Sequence, residues 1–151
     1  TCACAIESAV TWNPNRDIFV LFSSPVGLSS NGQANSPVLK ALSTNSNIHY
    51  RNVDWYKERY VNSCRFLYHS EEWVKKDKML TTEHFMGHLS DFLRLLSIYK
   101  FGGIHFDLDI IVQSTFEDFP PNFIGAQDAE EIQNSVLGFE SRDVGHKIVE
   151  L

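Results

Sequence analysis

The sequence predicts an α/β sandwich with a mainly parallel sheet. Three observations carry that expectation. Apolar runs of strand length alternate with helical patterns along the chain. Two of the runs, Asp17 to Ser23 (DIFVLFS) and Ile104 to Val112 (IHFDLDIIV), are apolar with little alternation, as strands covered on both faces are. Between His88 and Gln113 the chain reads as a helix, a glycine break, a buried strand and an acidic tip.

Taken in order, Ala3 to Trp12 has helical spacing and ends at Asn13-Pro14-Asn15. Asp17 to Ser23 is the first strand, expected to be central. Ser24 to Pro37, rich in Ser, Gly, Asn and Pro, is a loop, and Pro37 to Ser43 a short helix. Asn47 to Val53 (NIHYRNV) is the second strand, and Asp54 is a candidate cap for a following helix. Residues 60–86 carry no readable period. Trp73 there suits packing on a core or rim, or a sugar ring. Phe119 to Asn122 is a turn. Phe123 to Ala126 and Ser135 to Glu140 are short strands separated by the acidic loop Gln127 to Gln133, and Asp143 caps a last helix, Val144 to Leu151.

The central stretch carries the chemistry. Leu89, Phe92, Leu93, Leu96 and Tyr99 make a helical stripe, with Ser90 able to cap an early turn. Asp91 and Arg94, three apart, share a face away from that stripe; the bland reading is a surface ion pair. Gly102-Gly103 stops the helix, as residues tolerant of positive φ do, and also permits close backbone approach. Asp107 and Asp109 then interrupt an apolar strand. Bare carboxylates in an apolar surround are costly, so they belong at the strand's carboxyl end, in water or on a cation. That end is where open α/β sheets bind ligands.

Composition narrows the field. The 151 residues are 43% hydrophobic and 21% charged, a globular composition with a core. A net charge of −6 argues against a nucleic-acid partner, which needs clustered Lys and Arg. The run Lys75-Lys76 with Lys78 sits beside Glu71-Glu72 and reads as a solvated face. Cys2, Cys4 and Cys64 lack metal spacing; small buried residues, or one disulfide with a leftover, explain them better. His69, His84 and His88 are scattered, so surface histidines are favoured over ligands.

The run Ser90-Asp91, Arg94, Lys100 to Ile104 and Phe106-Asp107-Leu108-Asp109 resembles the Asp-x-Asp glycosyltransferases of the α1,4-galactosyltransferase and α1,4-N-acetylglucosaminyltransferase type. Cys4 to Ala9 (CAIESA) is a second match, and Asn134 to Glu140 (NSVLGFE) a weaker third. The resemblance implies a GT-A type nucleotide-sugar-binding α/β/α sandwich. It also implies transfer of a hexose from a UDP-sugar to a glycan or glycolipid acceptor, with retention, in the Golgi lumen. The implied cofactor is a divalent cation, Mn²⁺ ahead of Mg²⁺, as hard oxygen ligands suit. Asp109 would serve the metal, and Asp107 the ribose or sugar hydroxyls, sometimes through the metal's waters. Asp91, Arg94, Gly103, His105 and Asn134 would border the donor. His105 stands where relatives often carry Tyr, and a strand-core role fits it equally. Glu7 could anchor the first helix or lie near the nucleotide, and the structural reading is favoured.

The chain starts at Thr1 and ends within a helical pattern. By the resemblance, residues 1–151 are expected to be the amino-terminal part of one catalytic domain truncated at both ends, with any membrane anchor outside. Two other readings stand beside this one: a nucleotide-sugar-binding remnant without turnover, and a phosphatase-type hydrolase with Asp107 as nucleophile. The last leaves Gly102-Gly103, Asp91 and Arg94 unexplained.

Overall fold

The computed structural model describes residues 2–23, 36–53 and 81–140. Residues 24–35 of the expected loop, the helix after Asp54, Cys64, His69, Trp73, the lysine run and the helix after Asp143 lie outside the described residues. The chain divides into two units, Thr1–Asp54 with Asp107–Phe119, and Trp55–Phe106 with Pro120–Leu151.

In the first unit, helix α1 (Cys2–Trp12) buries Ala5, Ile6, Ala9 and Val10, an i, i+1, i+4, i+5 stripe. The expected helix is there, and its cysteines are not in the core: Cys2 and Cys4 carry exposed free thiols, because both fall off that stripe. Strand β1 (Ile18–Phe22) pairs in parallel with β2 (Ile48–Asn52), from Ile18 opposite Ile48 to Phe22 opposite Asn52. Helix α2 (Pro37–Leu42) opens with Pro at a position where its missing N–H costs nothing. Ile6 and Val10 meet Val20, Ile48 and Tyr50, with Ile18, Phe22, Leu39 and Leu42 around them. Tyr50 Oη donates to the Leu39 carbonyl at 2.8 Å, so the phenol enters the core with its polar end satisfied.

The expectation that β1 is covered on both faces is corrected. Val20 is buried, whereas its neighbours Phe19 and Leu21 are exposed. The unbroken apolar run reflects β propensity on the outer face, where Phe19 lies against the His49 ring at 5.0 Å and under the Arg51 guanidinium at 5.9 Å.

In the second unit, helix α3 (Phe85–Phe101) presents Leu89, Phe92 and Leu96 on one face, with Phe85, Leu93 and Tyr99 packed around them. Its opposite face sets Ile98 on Leu137 and Phe139. The helix begins a turn before its apolar stripe, so Ser90 is interior and exposed rather than a cap; His84 holds the N-cap position. Its end is as expected: Gly102 and Gly103 have φ of 66° and 95°, and the Gly102 amide donates to the Ile98 carbonyl at 2.8 Å.

Strand β3 (Gly103–Phe106) follows at once and pairs antiparallel with β5 (Ile132–Phe139), which also pairs antiparallel with β4 (Phe123–Ala126). This corrects the mainly parallel expectation: among the described residues one ladder is parallel and two are antiparallel. An apolar run signals burial and carries no information about strand direction, which depends on the partner. Even the burial was overestimated, since Ile104, His105 and Phe106 are only half-buried. Between β4 and β5, Asp128 Oδ1 accepts the amides of Glu130 and Glu131 at 2.8 and 2.9 Å, a turn fixed by its own side chain. Opposite Gly138, the Phe123 ring fills the space that a Cβ would take.

Candidate functional site

The second unit brings four of the expected residues together. Arg94, on the face of α3 opposite the apolar stripe, is buried, its side chain 5% exposed. Its Nε donates to His105 Nε2 on β3 at 3.1 Å, and its Nη1 lies 3.2 Å from Asp91 Oδ1. Asn134 on β5 donates from Nδ2 to the same Asp91 oxygen at 3.3 Å. A guanidinium only donates, so His105 Nε2 must accept, which assigns the neutral ring with its proton on Nδ1. The surface-pair reading of Asp91 and Arg94 is thereby replaced. A buried planar cation is held between a neutral ring and a half-exposed carboxylate. His105 is neither plain strand core nor a side chain without a polar role: it orients Arg94.

Gly103 is exposed, and a Cβ built on it would meet nothing within 4 Å. The constraint on it is its backbone angle, and the open space allows a ligand to approach the main chain.

Asp107 and Asp109 belong to the first unit. The expected strand to Val112 stops at Phe106, opposite Val136, and the chain turns, the Ile110 amide donating to the Asp107 carbonyl at 3.1 Å. The turn leaves Asp107 half-buried and Asp109 exposed, avoiding the desolvation that a ladder position would impose. Among the described residues no three His, Cys, Asp or Glu side chains converge. A hard cation that keeps waters and phosphate oxygens needs only one or two carboxylates, and this pair of oxygen donors on one solvent-facing turn fits it.

Two residues escaped the sequence reading. Ser8 Oγ accepts the Val112 amide at 3.0 Å, and Asn13 Oδ1 accepts the Phe116 amide at 2.8 Å. Asn13 is almost fully buried and also donates from Nδ2 to the Ala9 carbonyl at 3.1 Å. It had signalled only a helix end; a polar residue just after an apolar helical stripe was the sole hint. Arg16 adds a two-pronged pair with Glu117, at 3.0 and 3.3 Å, exposed and worth little by itself.

Comparison with known proteins agrees with the motif. Residues 1–130 match the family described as glycosyltransferase sugar-binding region containing DXD motif, a span that includes Asp107-Leu108-Asp109. The chain belongs to that family. A 64-residue stretch, 40% of the chain, is 33% identical to the uncharacterized protein At4g19900 of Arabidopsis thaliana, and the match spans 10% of that protein's length. No solved structure matches. Asn134 lies beyond the matched residues, and its place beside Asp91 is a finding of the structure alone. No helix among the described residues is long and apolar enough to cross a membrane.

Proposed function

We propose that residues 1–151 are the donor-binding part of a retaining, divalent-cation-dependent hexosyltransferase. It takes galactose, N-acetylgalactosamine or N-acetylglucosamine from a UDP-sugar, in α linkage, to a glycan or glycolipid acceptor in the Golgi lumen. The observation that carries the reading is the Asp107-Leu108-Asp109 turn, one carboxylate half-buried and one exposed straight after an apolar strand, inside the matched region. The parallel β1–β2 pair with α1 packed on it supports the finer fold assignment, a GT-A type sandwich.

Asp109, the more exposed carboxylate, would hold the cation, Mn²⁺ ahead of Mg²⁺, and Asp107 would accept from ribose or sugar hydroxyls. When bound, the cation supplies charge neutralisation for the departing diphosphate. Arg94 offers N–H donors to sugar or phosphate oxygens in a direction set by Asp91 and His105. Gly103 lets the backbone come close to the sugar, and Asn134 keeps Asp91 turned toward Arg94. Because Arg94 is held by Asp91 and His105 before the donor arrives, little reorganisation of that side chain is left for the transfer step.

Calorimetric titration of UDP-galactose and UDP-N-acetylglucosamine into the protein, with Mn²⁺ and with chelator, tests the reading. Binding should require the cation and disappear in Asp109→Ala. Equal affinity in chelator would overturn it.

A further inference from the structure

The Cys4 to Ala9 match has no part in the donor chemistry just described, yet one of its side chains reaches the segment that follows the two carboxylates. We propose that Ser8 is a positioning residue for the Asp107-Leu108-Asp109 turn, acting through the Val112 amide. The inference rests on the reading of that turn as a cation site.

Ser8 Oγ donates to the Ala5 carbonyl one turn back at 2.8 Å and accepts the Val112 amide at 3.0 Å. The first bond fixes the hydroxyl rotor, which leaves a lone pair for the second. Ala5 and Ala9, flanking Ser8 on α1, are fully buried, so the helix has no freedom to follow a moving loop. Val112 is buried as well, so its amide is costly to leave unpaired if the hydroxyl is removed. The turn is closed by the Ile110 amide on the Asp107 carbonyl, and the anchored amide comes two residues later. Asp109 therefore sits inside a closed turn, three residues before a fixed point on a rigid helix. A second fixed point follows at Phe116, held by Asn13. A turn ordered beforehand binds a cation without an ordering cost at the moment of binding.

The test is a set of substitutions at Ser8 in the full chain. Mn²⁺ affinity is measured by electron paramagnetic resonance with UDP present, and amide exchange is followed at residues 107–113. Ser8→Ala should speed exchange at Val112 and weaken Mn²⁺ binding roughly fivefold, the effect of losing one hydrogen bond. Ser8→Thr, which keeps the hydroxyl, should restore both, and Ser8→Cys, with a weak sulfur acceptor of similar size, should fall between. If Ser8→Ala is too unstable to titrate, the Thr and Cys variants carry the comparison. Fast exchange in Ser8→Ala, or Ser8→Cys if that variant must stand in, with Mn²⁺ affinity unchanged would overturn the positioning role, while loss of Mn²⁺ in Asp109→Ala kept the cation site. If the unsubstituted protein binds no Mn²⁺ through Asp109, the cation reading falls and the positioning role with it.

Discussion

The two units hold their polar groups in opposite ways. In the second, the groups are side chains that hold one another: Arg94 between His105 and Asp91, with Asn134 behind. In the first, side chains hold backbone: Ser8 takes the Val112 amide and Asn13 the Phe116 amide, beside a turn with Asp107 half-buried and Asp109 exposed. A buried cation must be paired where it stands, because an unpaired charge away from water is costly. An exposed carboxylate such as Asp109 asks mainly for a main chain that does not wander. The difference predicts that substitutions within the Arg94 cluster act on chemistry more than on stability, and that substitution of Asn13, which holds only backbone, does the reverse.

Arg94→Lys should have the largest effect. Lysine keeps the charge but has no planar fork to meet His105 and Asp91 together, so kcat/KM should fall roughly ten- to a hundredfold with the circular dichroism spectrum unchanged. Unaltered turnover would return Arg94 to a packing role and break the comparison. Gly102→Ala comes next. With φ of 66° and ψ of −161°, Gly102 occupies a region almost closed to other residues, and the substitution should cost about 2 kcal/mol in urea unfolding. Asn13→Ala should cost about 1.5 kcal/mol, by stranding the Phe116 amide, and leave donor affinity less affected than Arg94→Lys does.

Tyr50 gives the smallest effect and a pH signature. Tyr50→Phe loses the bond to Leu39 and about 1 kcal/mol. Burial raises the phenol above its ordinary value of 10.0. The fold favours the protonated form, so this contribution is complete below the unfolded value and is lost as pH rises past it through the folded one. Melting temperature measured from pH 8 to 11 should drop faster in the unsubstituted protein than in Tyr50→Phe.

What could be read from the sequence was local. Gly102-Gly103 announced a positive φ, and both glycines have one. The runs at β1 and β2 announced strands, because β-branched and aromatic residues fit a pleated surface. Leu89, Phe92 and Leu96 marked a helix face but not its start, since Met86, Gly87 and His88 lie off any apolar stripe. What could not be read depended on partners. Strand β3 stops at Phe106 because its ladder with β5 stops there, and no property of Leu108 or Ile110 says so. The antiparallel direction likewise belongs to β5, which starts at Ile132 rather than at Ser135. The site divides along the same line: Asp91 with Arg94 is a spacing of three, visible in one helix, whereas the Arg94–His105 bond needs the helix end and the strand in place together.

The bonds from residues 8–16 to residues 112–117 join positions 104, 103 and 101 apart in the chain. Closing a loop of that length costs an entropy worth roughly 4 kcal/mol plus a constant, which no single hydrogen bond repays. The three closures therefore form together, on a core already made by α1, β1 and β2. During synthesis at roughly 5–20 residues per second, that amino-terminal core waits several seconds for residues 107–119 to emerge. Its first partner is made early and its last one late, so the Asp107-Leu108-Asp109 turn matures only when residues 107–119 come back to α1.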